Sequence, residues 1–548
     1  MKRTLQLRFA TAGALVLATT ATATIPPREG ARWPEGYREH FQQARTMLQR
    51  SRCLTPLVRR LQANRAALAA GTMTKEAVMA AGGVTVSGTR SIPVLPVTFA
   101  NTPGDPYPPA NLQRELFDGP WSPGTMTDYY REISYGAFTV TGTVGPWRRL
   151  SRNDTFYEGG CNGLCSSGRM GDFLRESFDL HDATVDFGLY DNDGPDGQPN
   201  SGDDDGYVDF VALVHAESGG ECGNNSPNLW SHRYVYSGFT GSEYTTNDAR
   251  TGGGFIRIDD YVIMPAFACN GSTMIQIGVF AHEFGHAFGL PDLYDTDSSN
   301  GDSEGVGNWC LMAGGSWGGD GRSPERPVHM SAWAKQFLGW LNPADVTGDI
   351  DPASLANIED TDFAYRVPIS PTQYYLVSNR QRKKFDQGLP AAGLLIWRIN
   401  ETVINAGLRN NTVNADAGNK GVDLEEADGR NDLDGTGNRG DAGDPFPGST
   451  NKRSFDSTTN PRSTGTIAVC GIGDPADTAS AQIFVTRNRC ESQPPPPPPG
   501  GGCSSAVPAP GSSGALRTGA WLLLLPALAG GWLALGMLRR SGASRVPS

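Results

Sequence analysis

The stretch His282-Glu283-Phe284-Gly285-His286-Ala287-Phe288-Gly289-Leu290-Pro291-Asp292-Leu293-Tyr294-Asp295 decides how the rest of this 548-residue chain is read. His282 and His286 stand four apart, so on a helix their imidazoles stack on one face and can grip one metal ion. Glu283, the next residue round the helix, points at a metal-bound water rather than at the metal. Zinc lowers the pKa of such a water towards about 7, and a carboxylate placed there can take its proton as it attacks a peptide carbonyl. Gly289 suits the left-handed turn that often ends a helix, and Pro291 keeps the helix from resuming. The doubled-back chain then offers Asp292 as third zinc ligand, with Glu304, 18 positions after His286, as the alternative. Two imidazoles and one carboxylate leave a fourth position for water, which is the pattern of a catalytic zinc rather than a structural one.

Further on, Asn308 to Trp317 places Met312 among small residues. That looks like the Met-turn that supports the metal site of metzincin-type peptidases. The segment as a whole resembles the immune inhibitor A family of secreted bacterial zinc metallopeptidases, in which Gly-Leu-Pro-Asp follows the active-site helix and precedes an Asp/Glu/Gly-rich loop and a Trp-x-Leu-Met turn. Here these are His282 to Asp292, Asp295 to Gly307 and Trp309 to Met312, with weaker likeness from about 91 to 450. The resemblance implies an α+β, zincin-type fold: a mixed β-sheet on an active-site helix, followed by a β-rich C-terminal subdomain. It also implies hydrolysis of peptide bonds in extracellular proteins, with Zn2+ held by His282, His286 and Asp292 and with Glu283 as general base.

Both ends of the chain carry sorting signals. Lys2, Arg3 and Arg8, the apolar run Phe9 to Ala18 and Ala21-Thr22-Ala23 read as a signal peptide over 1–23. The apolar run is too short to cross a bilayer. Residues 24–90 differ in composition and read as a prosegment that accompanies folding and blocks the cleft; its Cys53 is a candidate zinc cap. The catalytic domain is expected over 91–345 and its β-rich continuation over 346–492. A stiff, then flexible linker with Cys503 covers 493–518. Residues 519–538 are apolar enough to span a membrane, and the basic 539–548 marks the cytoplasmic side. This tail resembles myxobacterial C-terminal sorting tails, implying sorting machinery as partner and an exported protein at the cell surface, in the outer membrane or released. A permanent single-pass anchor is the other reading.

Ile92–Phe99, Phe138–Val144, Tyr207–His215 and Gly393–Ile399 read as strands, and Met170–Phe178, Thr273–Phe288 and His329–Leu338 as helices. Asp191, Asp193, Asp196, Asp205 and Asp209 lie on a Gly/Pro/Asn-rich stretch, a spacing of hard oxygen donors that suits Ca2+, although a solvated acidic loop reads the same way. Asp423 to Asp444 is a weaker candidate of the same kind. Among nine cysteines, Cys161 with Cys165, Cys222 with Cys269 and Cys470 with Cys490 are possible pairs that spacing alone cannot decide. Cys310 reads as a small buried apolar residue. His215, His232 and Tyr294 are further candidates for lining the cleft or binding an oxyanion. With 58 acidic against 46 basic residues and no basic patch, nucleic-acid binding has no support. Rival readings are an inactive surface adhesin on a peptidase-derived fold, which need not retain Glu283, and a zinc hydrolase of non-peptide bonds.

Overall fold

Strand β1, Gly88–Thr98, is buried without interruption from Ile92 to Thr98, the signature of a strand covered on both faces and paired on both edges. In the computed structural model it lies between β2 (Phe138–Val144) and β4 (Ala212–Ser218), parallel to both, with β3 (Arg148–Arg149) continuing the β2 side. Strand β8 (Asp260–Phe267) adds in parallel to β4, and β5 (His232–Val235) closes the sheet as an antiparallel edge in the register His232↔Ile263. A separate hairpin, β6 (Tyr244–Ala249) and β7 (Phe255–Ile258), lies between them in sequence. The fold is α+β with a mixed sheet.

The model describes residues 24–27, 56–74, 77 and 85–490, apart from 166, 195, 223–226 and 298. The signal peptide, Cys53, the linker, the apolar run 519–538 and the basic end all lie outside the described residues. Among the described residues, no helix is long and apolar enough to cross a membrane.

Helix α1 (Pro56–Ala69) lies within the expected prosegment. Helices α2 (Met126–Ile133) and α3 (Met170–Asp182) follow, then α4 (Ile277–Ala287), which carries the paired histidines and is buried at all eleven positions. It starts four residues later than its pattern suggests. Residues 273–276 are held in a hairpin by the Phe267↔Met274 bridge and by Ile275 N–H donating to Ala266, so they cannot join the helix. Likewise β4 begins at Ala212 rather than Tyr207, because Val208 and Asp209 donate instead to Arg257 and Tyr190. The helix predicted from His329 shortens to α5 (Ala332–Leu338), capped by the Ser331 hydroxyl on Ala334 N–H.

After α5 come a five-stranded sheet and a three-stranded one. The first runs β14 (Val422–Leu424), β13 (Gly393–Asn400), β12 (Gln373–Arg380), β11 (Tyr365–Ser370), β9 (Ala344–Asp345). The second is β10 (Ile350–Ala356), β16 (Thr478–Phe484), β15 (Ala468–Cys470). The larger sheet is buried on both faces. Tyr374 and Leu376 of β12 with Leu395, Trp397 and Ile399 of β13 join the core of the histidine-bearing region. The alternate residues Tyr375, Val377, Leu394 and Ile396 pack towards the smaller sheet. Period-two alternation therefore separates two apolar cores instead of core and water, which is why Leu394-Leu395-Ile396-Trp397 reads as one apolar run. The disulfides are Cys161–Cys165, Cys222–Cys269 and Cys470–Cys490, and Cys310 is a buried free thiol.

Arg380, at the end of β12, ties the sheet to the metal-site loop. Its guanidinium pairs with Glu359 at 3.3 Å and Asp386 at 2.6 Å and donates to the Trp309 carbonyl, all fully buried. Burial, then the charge of Asp386, pushes the Glu359 carboxyl well above the ordinary range, against the pull of Arg380. Removing Arg380 leaves two buried carboxylates without their cation. Arg380→Ala should lower unfolding free energy in urea by about 3–5 kcal/mol. A carboxyl whose folded pKa is raised contributes stability below its unfolded pKa and loses it as pH rises through the folded value. The deficit should therefore be larger at pH 8 than at pH 5; an equal deficit at both would refute this role.

Candidate metal centre

Helix α4 delivers His282 and His286 one turn apart, and Gly289, with φ of +89°, ends it as the Gly-Leu-Pro-Asp sequence requires. The chain reverses and brings Asp292 back to the histidines. His282 Nε2 and His286 Nε2 are 3.1 Å apart, and each lies 3.2 Å from Asp292 Oδ1. All three residues are buried. Each imidazole Nδ1 meets a carbonyl at 2.9 Å, Leu311 O for His282 and Leu290 O for His286. A Nδ1–H donating to a carbonyl leaves the Nε2 lone pair pointing inward. Two ring nitrogens and a carboxylate oxygen thus converge on one point, an arrangement that repels itself unless a positive charge, a proton or a metal cation, is shared at its centre. A four-coordinate divalent ion with bonds of about 2.0–2.2 Å separates its ligands by roughly 3.3 Å, so the donor set fits one.

The electrostatics follow the geometry. Burial alone would depress His282, but the Asp292 hydrogen bond and the charges of Glu283 and Asp292 hold it above the usual histidine value. Asp292, despite burial, is held well below the carboxylate range by His286 and His282. Burial raises Glu283, opposed by the charges of the two histidines. Its Oε1 accepts the Thr24 hydroxyl, and its Oε2 has no hydrogen-bond partner among the described residues.

The supporting shell comes from distant parts of the chain. Met312 lies against the helix between the two histidines: a Cβ on Gly285 would stand 2.3 Å from its sulfur. Gly278 is equally constrained, 2.0 Å from the Ser316 carbonyl. The Met312 carbonyl accepts Leu293 N–H at 2.8 Å, so one turn braces both the helix and the segment that carries Asp292. Tyr130 OH donates to the Ala281 carbonyl at 2.6 Å. Asn411 grips Asp292 twice, donating to Oδ2 at 2.6 Å and accepting its backbone N–H at 2.7 Å.

The remaining candidates separate. Glu304 lies on Arg439 at 2.8 Å and is not in the His282–His286–Asp292 group. His232 is satisfied by the Trp230 carbonyl and Tyr261 OH, and burial pushes its pKa down to about 4. His215 is buried with neither ring nitrogen hydrogen-bonded and is likewise pushed down to about 4. Tyr294 is buried within the apolar core. Asp191, Asp193 and Asp205 come together within 4.8 Å, with the half-buried Asp209 near them; Asp196 is exposed and outside the group. Both oxygens of Asp191 are buried without a partner.

Sequence reasoning missed Asn411, Trp230, Trp317 and Arg439. The backbone carbonyls of Thr24, Ile25 and Pro26 accept, in that order, from Trp230 Nε1 at 3.2 Å, Trp317 Nε1 at 2.6 Å and Arg439 Nη1 at 2.6 Å. Nothing local marks these residues, since each acts across more than a hundred positions of chain. Asn411→Ala should weaken metal retention about 10–100-fold in chelator competition without loss of helical signal in circular dichroism; unchanged retention would remove Asn411 from the site.

Residues 117–341 match the family described as immune inhibitor A peptidase M6, catalytic domain. The chain is 32% identical over 261 residues to the pre-pro-metalloprotease PrtV of Vibrio cholerae, covering 43% of this chain and 27% of that protein. It is 31% identical over 242 residues to immune inhibitor A of Bacillus thuringiensis subsp. alesti, covering 40% of this chain and 34% of the relative. The matched part thus spans about a quarter to a third of these relatives' own length. His282, His286 and Asp292 all fall inside the region, 117–341, that matches this family's catalytic domain.

Proposed function

We propose that this chain is a zinc-dependent endopeptidase, made as an exported precursor and acting on extracellular proteins. The observation that carries the reading is the buried meeting of two Nε2 lone pairs and one Asp292 oxygen, beside a Glu283 oxygen that no protein donor uses. His282, His286 and Asp292 would hold the zinc. When bound, zinc lowers the pKa of a coordinated water towards about 7 and polarises the scissile carbonyl. Glu283 takes the proton as general base and returns it to the leaving amine. Met312 and Asn411 keep the helix and Asp292 in register. Glu283→Gln should retain zinc but lower casein hydrolysis by about 10²–10⁴-fold, and chelation should abolish what wild type shows. Zinc binding with no cleavage in wild type would favour the inactive adhesin.

The prosegment reading of 24–90 has two supports. Thr24–Pro26 lies in the cleft against Glu283, and Arg60 of α1 pairs with Asp193 at 2.8 Å. Such a precursor stays latent until that part is removed, and intact mass should show its loss when activity appears. The relative named as a pre-pro-metalloprotease supports export. The surface or outer-membrane destination, the sorting machinery and the anchoring helix 519–538 rest on the tail sequence alone.

Calcium is proposed for Asp191, Asp193 and Asp205. Their oxygens lie close enough to share a cation with bonds of about 2.3–2.6 Å, and the orphaned oxygens of Asp191 need a positive partner. The later groups, Glu426 with Asp428 and Asp444 and Asp428 with Asp432 and Asp441, are weaker. There Glu426 already accepts from Asp432 and Leu433 N–H, and Asp444 from Trp309. Calcium should raise the melting temperature of wild type, and Asp191→Asn should lose most of that gain; an equal gain in both would exclude this cluster.

A further inference from the structure

The contacts at Thr24–Pro26 have a property that latency alone does not require: every one of the three clamp residues addresses the main chain. Trp230 takes the carbonyl of Thr24, Trp317 that of Ile25 and Arg439 that of Pro26, so three successive carbonyls of one segment are each met by one donor. The donors come from separate places: the residue pair before edge strand β5, the turn just after Met312, and the glycine-rich loop after β14. All three are nearly fully buried. None is a floppy surface group that could reach any passing carbonyl. Arg439 is itself fixed by Glu304 at 2.8 Å, and the Trp230 carbonyl by His232 at 2.7 Å. The segment they hold also places its Thr24 hydroxyl on the Glu283 carboxylate, beside the His282–His286–Asp292 group. Ile25 is 3% exposed and packs within the apolar core, so side-chain selection falls at that position while its neighbours are held through their backbones. Pro26 has no N–H to offer, and a clamp made only of donors does not need one.

We propose that Trp230, Trp317 and Arg439 are the main-chain subsites of the peptidase cleft, that they hold an extended stretch of protein substrate by three consecutive carbonyls, and that Thr24–Pro26 lies in them as a substrate-like occupant. The proposal rests on the peptidase reading for its substrate but not for its geometry. Holding the backbone and one apolar side chain suits an enzyme that digests many protein sequences with a preference for a branched apolar residue such as isoleucine at one position. Arg439 also gives Glu304 a role: the carboxylate orients a substrate-binding guanidinium.

The test uses the full chain throughout. Deleting Thr24, Ile25 and Pro26 removes the three carbonyls that occupy the clamp, and circular dichroism checks that the fold survives the deletion. A fluorescent acetyl-Thr-Ile-Pro-Pro-amide peptide should bind this chain and should bind wild type far more weakly, because the occupant competes. Trp317→Phe or Trp230→Phe in the vacated chain should weaken binding about three- to tenfold, the effect of one neutral hydrogen bond. Trp340→Phe, which removes an indole donor to the Val86 carbonyl away from the clamp, should not. A thioamide at the isoleucine carbonyl, a poorer acceptor, should weaken binding to the vacated chain but cost nothing further in its Trp317→Phe variant; this cycle stays informative if one variant is less stable. In hydrolysis, the Trp317→Phe change should raise KM and leave kcat within about twofold. Failure of the peptide to bind the vacated chain, or equal binding to the tryptophan variants, would overturn the clamp. Clamp-dependent binding with no cleavage of any peptide would sink the peptidase reading and leave the clamp standing.

Discussion

Three buried acceptor atoms held 3.1–3.2 Å apart are the constraint on which the rest of this structure turns. Left to themselves, two imidazole lone pairs and a carboxylate oxygen at that spacing repel one another in a medium that screens poorly. They stay together because other parts of the fold fix each of them. The Leu311 and Leu290 carbonyls set the imidazole tautomers, Asn411 holds the carboxylate, and two glycines let helix α4 lie directly on the 312–316 turn. A cation turns that strain into binding energy, and a site organised in advance loses little on taking it up.

The C-terminal sheets belong to the same construction. Their larger sheet buries one face in the histidine-bearing core and the other against the smaller sheet, while Arg380 links its edge to the Trp309 carbonyl, three residues before Met312. The region past 345 also supplies Asn411 to the metal site and Arg439 to the cleft. A catalytic part cut at 341, where the family match ends, would lose both. The region past 345 is therefore structural support for Asp292 as well as a pair of sheets in its own right.

Much of this was legible along the chain, for a local reason. Helical spacing places His282, Glu283 and His286 within one turn, Gly289 and Pro291 end that turn, and Asp292 is near enough that few other placements exist. Strand patterns at 92–99, 138–144 and 393–399 were legible because burial imprints itself on consecutive residues. Boundaries failed where a competing partner claimed the backbone, as at 273–276, where a hairpin won over helix, and at 207–211, where Val208 and Asp209 pair elsewhere. Spacing favoured Asp292 and left Glu304 as the alternative third ligand; in the fold Arg439 engages Glu304.

By itself the sequence determined the chemistry offered: two imidazoles, a neighbouring carboxylate, a helix stop and a second acidic residue as third donor, all within eleven positions and governed by helical periodicity. Only the tertiary structure decided what surrounds them. Asn411 on Asp292, Met312 against Gly285, and the row of Trp230, Trp317 and Arg439 along Thr24–Pro26 join residues tens to hundreds of positions apart. Contacts at such separation leave no periodic trace along the chain, because they arise from how whole sheets and loops stack rather than from the geometry of any one helix or strand.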